Sequence, residues 1–119
     1  MLKKRNNINL QKMFIVIYSV KAQYIEEKME EFYQKLTDDT IQNQKPDGQE
    51  IVDSMKRAKI TEPHIIQWSE MCFCSPPLKH ERETIYNHFL TNLETQTIDD
   101  YVEFDGESFF DFLERQFKK

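Results

Sequence analysis

Cys72 and Cys74 flank Phe73, and His80 follows six residues after the second thiol. Thiolate sulfur and imidazole nitrogen are the ligand chemistry of tetrahedral zinc. If a metal were held, Cys72, Cys74 and His80 would hold it, with His64 or His88 completing the set. Yet C-x-C-x5-H is not one of the usual zinc spacings, and Pro76-Pro77 stiffens the link between sulfur and imidazole. A redox dithiol would have two residues between its sulfurs, plus a helix N-terminus or a cation to stabilise the thiolate. The simpler reading is two buried thiols that fill apolar space. The expectation is therefore no cofactor and no metal. A thiol- or metal-dependent enzyme is kept as an alternative to a non-catalytic role, which is preferred. Two free thiols also suit a reducing, intracellular (cytoplasmic) compartment.

The run His80-Glu81-Arg82-Glu83-Thr84 starts like the H-E-x-x-H zinc protease motif, but Thr84 stands where the second histidine must be. Glu81 and Glu83 instead complement the N-terminal dipole of a helix. Arg82 falls within the apolar stripe of that helix. It is expected to pair with Glu70 or with an acid of the 99–107 cluster, or else to project at an edge into another protein. The cluster itself, Asp99, Asp100, Glu103, Asp105 and Glu107 around Gly106, fails the calcium-loop register. That register would put Tyr101 first and Phe112 twelfth, where carboxylates are required.

Lys45, Lys56, Arg57 and Lys59 form a small basic patch, but no aromatic on the same helix could stack a base. Only two glycines exist, which excludes phosphate-cradling loops and dinucleotide fingerprints. Residues 1–36 carry seven basic and four acidic side chains, and residues 37–119 carry nine and seventeen, for a net charge of −5. That balance repels nucleic acid and favours a basic partner.

These residues need elements to position them. The chain has 119 residues, 13% aromatic, enough for one core and too few for two domains. A basic polar leader at 1–12 precedes a single globular domain at 13–119. The leader has the basic composition of an organellar transit segment. The apolar run at 13–18 is too short to span a membrane, which needs about 20 residues. Residues 14–20 read as a central strand buried on both faces. Helical periodicity then covers 21–36, with Ala22, Ile25, Met29, Phe32, Tyr33 and Leu36 inward. A turn at Pro46-Asp47-Gly48 leads to a second helix at 49–60, with an outward Asp53–Arg57 pair. Residues 64–74 read as a strand whose alternation Glu70 interrupts, so an end or a bulge is expected there. A third helix runs from Pro77 to about Glu94, a third strand covers 97–104, and Asp105 caps a last helix over 107–117. The predicted fold is a small α/β (or α+β) domain in the order β-α-α-β-α-β-α, with mostly parallel pairing and helices covering the sheet.

The last helix carries Phe109, Phe110, Phe112 and Phe117 over an arc too wide for a small domain to enclose. An exposed aromatic edge marks an interface. Phe109, Phe112, Phe117, Arg82, Lys56 and Arg57 are therefore the candidate contact residues. The function read from the sequence is a non-catalytic protein–protein interaction module or structural subunit of a larger assembly, docking on other protein subunits. An acidic inhibitor or immunity-type protein that neutralises a basic partner is a further alternative.

Overall fold

A computed structural model describes residues 16–72 and 76–119. The basic leader, the start of the predicted first strand, and Cys74 lie outside the described residues.

Strand β1 (Val16–Tyr24) buries Tyr18, Val20, Ala22 and Tyr24 and turns Ser19, Lys21 and Gln23 the other way. The strand is central, as predicted, but only its even-numbered face is covered. Its period of two continues through Lys21–Tyr24, residues assigned to a helix from the sequence. Ala22 satisfies both periodicities, and the longer alternation Val20-x-Ala22-x-Tyr24 prevails. A short 3-10 turn (Glu26–Lys28) then leads into α1 (Met29–Thr37), which buries Met29, Phe32, Tyr33 and Leu36 on one stripe.

Helix α2 (Gly48–Arg57) presents Ile51, Val52 and Met55 to the core. A Cβ on Gly48 would stand 2.0 Å from the Ile41 carbonyl oxygen, so only glycine lets the preceding loop fold against this helix start. Strand β2 (Lys59–Glu62), absent from the sequence reading, turns at Pro63-His64 into β3 (Ile65–Cys72). His64 adopts φ 65° in that turn.

Helix α3 comprises three consecutive segments, Lys79–Glu81, a π-type turn Arg82–Tyr86, and Asn87–Phe89. It ends before the predicted Glu94, and β4 (Leu90–Ile98) follows at once. The β-branched Thr91, Thr95, Thr97 and Ile98 favour strand there, and Asn92 at φ 55° breaks any helical continuation. The predicted strand at 97–104 is therefore displaced N-terminally, and most of the 99–106 stretch is irregular. Strand β5 (Glu107–Ser108) pairs with β2 and delays helix α4 (Phe109–Phe117) by two residues. The N-cap is Ser108 rather than Asp105, its Oγ accepting from the Asp111 N–H at 3.1 Å.

The sheet order is β4-β1-β3-β2-β5, and every neighbouring pair is antiparallel. The parallel pairing expected from the sequence is thus replaced. The β2–β3 hairpin inserts β3 between the ends of the first crossover, and β1 separates the ends of the second. Two interleaved crossovers of this kind make a split β-α-β sheet, here extended by β5 and α4. The result, among the described residues, is an α+β domain of five strands and four helices. Its core is centred on Trp68, Tyr86, Phe32 and Phe109, each at 0% exposure. No helix among the described residues is long and apolar enough to cross a membrane.

Candidate functional site

Strand β2 pairs with β3 only as far as Lys59↔Gln67, so the last residues of β3 lose their strand neighbour on that side. Side chains of α2 take its place. Arg57 donates Nη2 to the Ser69 carbonyl at 2.9 Å, and the Met71 N–H donates to Glu50 Oε2, also at 2.9 Å. Arg57 and Glu50 pair with each other at 2.9 Å. The predicted Asp53–Arg57 pair does not form, because Asp53 accepts instead from Gln49 at 3.0 Å. The open side of Ser69 is closed by the irregular 99–106 segment: its Oγ donates to the Val102 carbonyl at 2.8 Å and accepts the Val102 N–H at 2.9 Å.

No bulge occurs at Glu70. Its pairing with Tyr18 is regular, and its side chain points into the core at 0% exposure. Oε1 accepts from Trp68 Nε1 at 2.8 Å and from Tyr86 Oη at 2.6 Å. Oε2 has no hydrogen-bond partner among the described residues. Burial raises the Glu70 carboxyl well above the ordinary carboxylate range, and the charges of Glu81 and Glu50 add to the rise against the two donors. Tyr86 is the last residue of the π-type turn of α3.

Beside this cluster lies a cleft of about 320 Å³ at the ends of β3, α2 and α3. Its lining includes Met71, Cys72 and Pro46 together with four carboxylates, Asp47, Glu50, Asp53 and Glu81. His80 is the one basic side chain among its lining residues. His80 Nδ1 lies 2.6 Å from Asp47 Oδ2. That hydrogen bond raises the imidazole above its ordinary value, partial desolvation opposes it, and the Asp47, Glu81 and Glu83 charges assist. Cys72 Sγ donates to Glu81 Oε1 at 3.8 Å, opposite in sign to the cationic neighbour that activates a thiolate.

The structure therefore brings Cys72 and His80 to one cleft, while Cys74 lies outside the described residues. His64 sits at the far end of β3, where it faces Glu26 at 3.3 Å, and His88 lines a different hollow beside Lys28 and Lys35. Neither can join Cys72. Among the described residues, no three His, Cys, Asp or Glu side chains converge to hold a metal ion.

The remaining candidates are dispersed. Arg82 pairs neither with Glu70 nor with the 99–107 acids; it is half-buried and lines a shallow hollow with Pro76, Pro77 and Glu83. Phe109 is wholly buried, so the contact role given to it is replaced by a core role. Phe112 and Phe117 are half-buried, their rings 5.7 Å and 6.4 Å from those of Tyr24 and Tyr33. The aromatic arc is wide because this helix packs against both α1 and α2. Lys56 is exposed above the Phe110 ring at 5.7 Å. Arg57, given an interface role from the sequence, mainly seals the β3 edge, and its guanidinium lies 4.5 Å from the centre of the Tyr101 ring. Lys56 and Arg57 share with Lys59, Tyr101 and Val102 a second hollow of about 440 Å³. Tyr101 and Val102, 41% and 48% exposed, are the large apolar side chains most open to solvent among the described residues.

Sequence reasoning missed Asp47, Glu50, Asp53 and Tyr86. The interruption of alternation at Glu70 was the one visible signal that an acid enters the core. No protein-family model, curated protein or solved structure matches the chain.

Proposed function

We propose that the chain is a non-catalytic protein–protein interaction module of a larger assembly, and that its partner is basic. The observation that carries this reading is the cleft, whose lining combines Pro46, Met71 and Cys72 with the carboxylates Asp47, Glu50, Asp53 and Glu81. A lysine or arginine side chain has that complementary form, an aliphatic stem ending in a cation. Desolvated carboxylates within reach of the cation give specificity and steer the encounter. The exposed Tyr101 and Val102 beside Lys56 supply a second contact zone of the aromatic and basic composition favoured at interfaces.

The test is titration of a fluorescent lysine-rich peptide against the full chain, with its fully acetylated counterpart as control. The unmodified peptide should bind with an affinity that falls steeply with salt, and Asp53→Asn should weaken it severalfold. Equal binding of both peptides, or binding insensitive to salt and to Asp53→Asn, overturns the proposal. One observation favours a thiol enzyme instead, that Cys72 and His80 line the same cleft. That reading requires Cys72 in the folded chain to react with iodoacetamide faster than a free thiol at pH 7.

A further inference from the structure

The two edges of the sheet are built differently. Beyond β2 the edge is closed by β5, a strand of two residues that passes directly into α4. Short edge strands and helical covers are how proteins prevent unwanted pairing. The opposite edge is β4, nine residues long, and among the described residues its outer side meets no strand. From Glu94 to Ile98 it runs in unbroken register with Lys21–Ile17 of β1, the irregularity being confined to its first residues. It holds no proline, lysine or arginine, and its single charge is Glu94. Apart from the Glu94 charge, none of the usual protections is present along Glu94–Ile98, so a row of backbone donors and acceptors is presented for pairing.

We infer that this edge pairs with β4 of a second copy of the chain, antiparallel and centred near Thr95, joining two five-stranded sheets into one. The strand's own side chains complement one another in that register. Glu94 falls opposite Gln96 of the other copy on both sides of the two-fold axis, so a carboxylate meets an amide donor and not its own like charge. Thr95 meets Thr95, and Leu93 meets Thr97. Directly opposed threonines and charge–amide pairs stabilise antiparallel ladders, whereas opposed like charges do the reverse. A two-fold contact of this kind is self-complementary and closes at the dimer. Because each copy carries a net charge of −5, association should tighten as salt screens their repulsion. This is opposite to the salt response proposed for the cleft, so the two readings fail separately.

Sedimentation equilibrium of the full chain over a hundredfold concentration range tests this. A monomer–dimer equilibrium that tightens with salt is expected. Thr95→Cys should yield a disulfide-linked dimer under mild oxidation, whereas Thr91→Cys should not, since its register partner lies beyond the strand. Thr95→Lys should weaken association at least tenfold, with the far-ultraviolet circular dichroism unchanged. A chain monomeric throughout, a dimer that Thr95→Cys fails to cross-link, or a β4 edge found paired with a strand of another protein would each overturn the inference.

Discussion

Tyr86 Oη and Glu70 Oε1, sixteen residues apart in sequence, meet at 2.6 Å inside the core, where neither residue has any exposed surface. Burial raises both groups; the Glu70 charge raises Tyr86 further, while the hydrogen bond from Tyr86 opposes the rise at Glu70, which the Glu81 and Glu50 charges assist. The neutral carboxyl is the form this environment favours. In the unfolded chain Glu70 loses its proton near the ordinary glutamate value, while in the folded chain it keeps the proton to higher pH. The folded state therefore binds more protons across that window, and the contribution is complete below the unfolded value and lost as pH rises toward the folded one. Glu70→Gln should remove this loss. Urea unfolding from pH 4 to pH 8 should show the variant gaining on the natural chain by up to about 1.4 kcal/mol per pH unit within the window. Parallel curves for the two proteins would show that Glu70 is ionised in the fold.

The last helix divides its phenylalanines between two roles. Phe109 is fully buried with its ring 6.4 Å from that of Phe32, whereas Phe112 is half-buried between Tyr24 and Arg115. Phe109→Ala should cost about 3–5 kcal/mol, the range for deleting a core aromatic. Phe112→Ala retains part of its solvent contact and should cost roughly 1–2 kcal/mol on the burial scale. Thermal unfolding of both variants checks the ordering, and an equal loss would place Phe112 in the core proper.

What the sequence disclosed follows from how local each signal is. The amphipathic stripe Met29-Phe32-Tyr33-Leu36 needs only its own helix to be read, and that helix is present. The strand at Ile65–Cys72 was likewise visible in its alternation. Pairing direction was not, because it turned on the four-residue strand Lys59–Glu62, too short and too polar to show a period of two. Of the cleft, the sequence singles out Cys72 and His80, but only as ligands of a metal that is not expected. Asp47 reads as a turn residue, and Glu50 is not singled out at all. Their roles come from the β3 edge and from α3, both remote in sequence.

Arg57 replaces a missing strand. It donates Nε and Nη2 to the Ser69 carbonyl, bonds Glu50 and Ser54 through Nη2, and lies against the Tyr101 ring. Only a planar fork makes these contacts together, and a lysine ammonium reproduces at most one. Arg57→Lys should therefore destabilise nearly as much as Arg57→Ala, by about 1–3 kcal/mol, since both deprive the Ser69 carbonyl of its paired guanidinium donors. Hydrogen exchange should show the loss at the β3 end and at Val102 before it appears elsewhere. Protection lost uniformly instead would mean that Arg57 supports the whole fold and not this edge.

If the cleft takes a cation as proposed, His80 should set the pH at which it does so. While protonated, the imidazole occupies Asp47 at 2.6 Å and offsets one of the surrounding carboxylates. Its titration point is raised above the ordinary histidine value, chiefly by that hydrogen bond. The charge is therefore retained at pH 6 and lost as pH climbs past the raised value, leaving the cleft one unit more negative. Affinity for the lysine-rich peptide should then rise severalfold between pH 6 and pH 8.5. His80→Gln keeps a polar side chain but cannot titrate, so its affinity should stay level over the same interval and match the natural chain's at the alkaline end. Isothermal titration at four pH values separates the outcomes. A pH-dependent rise that survives in His80→Gln would assign the titration to another group.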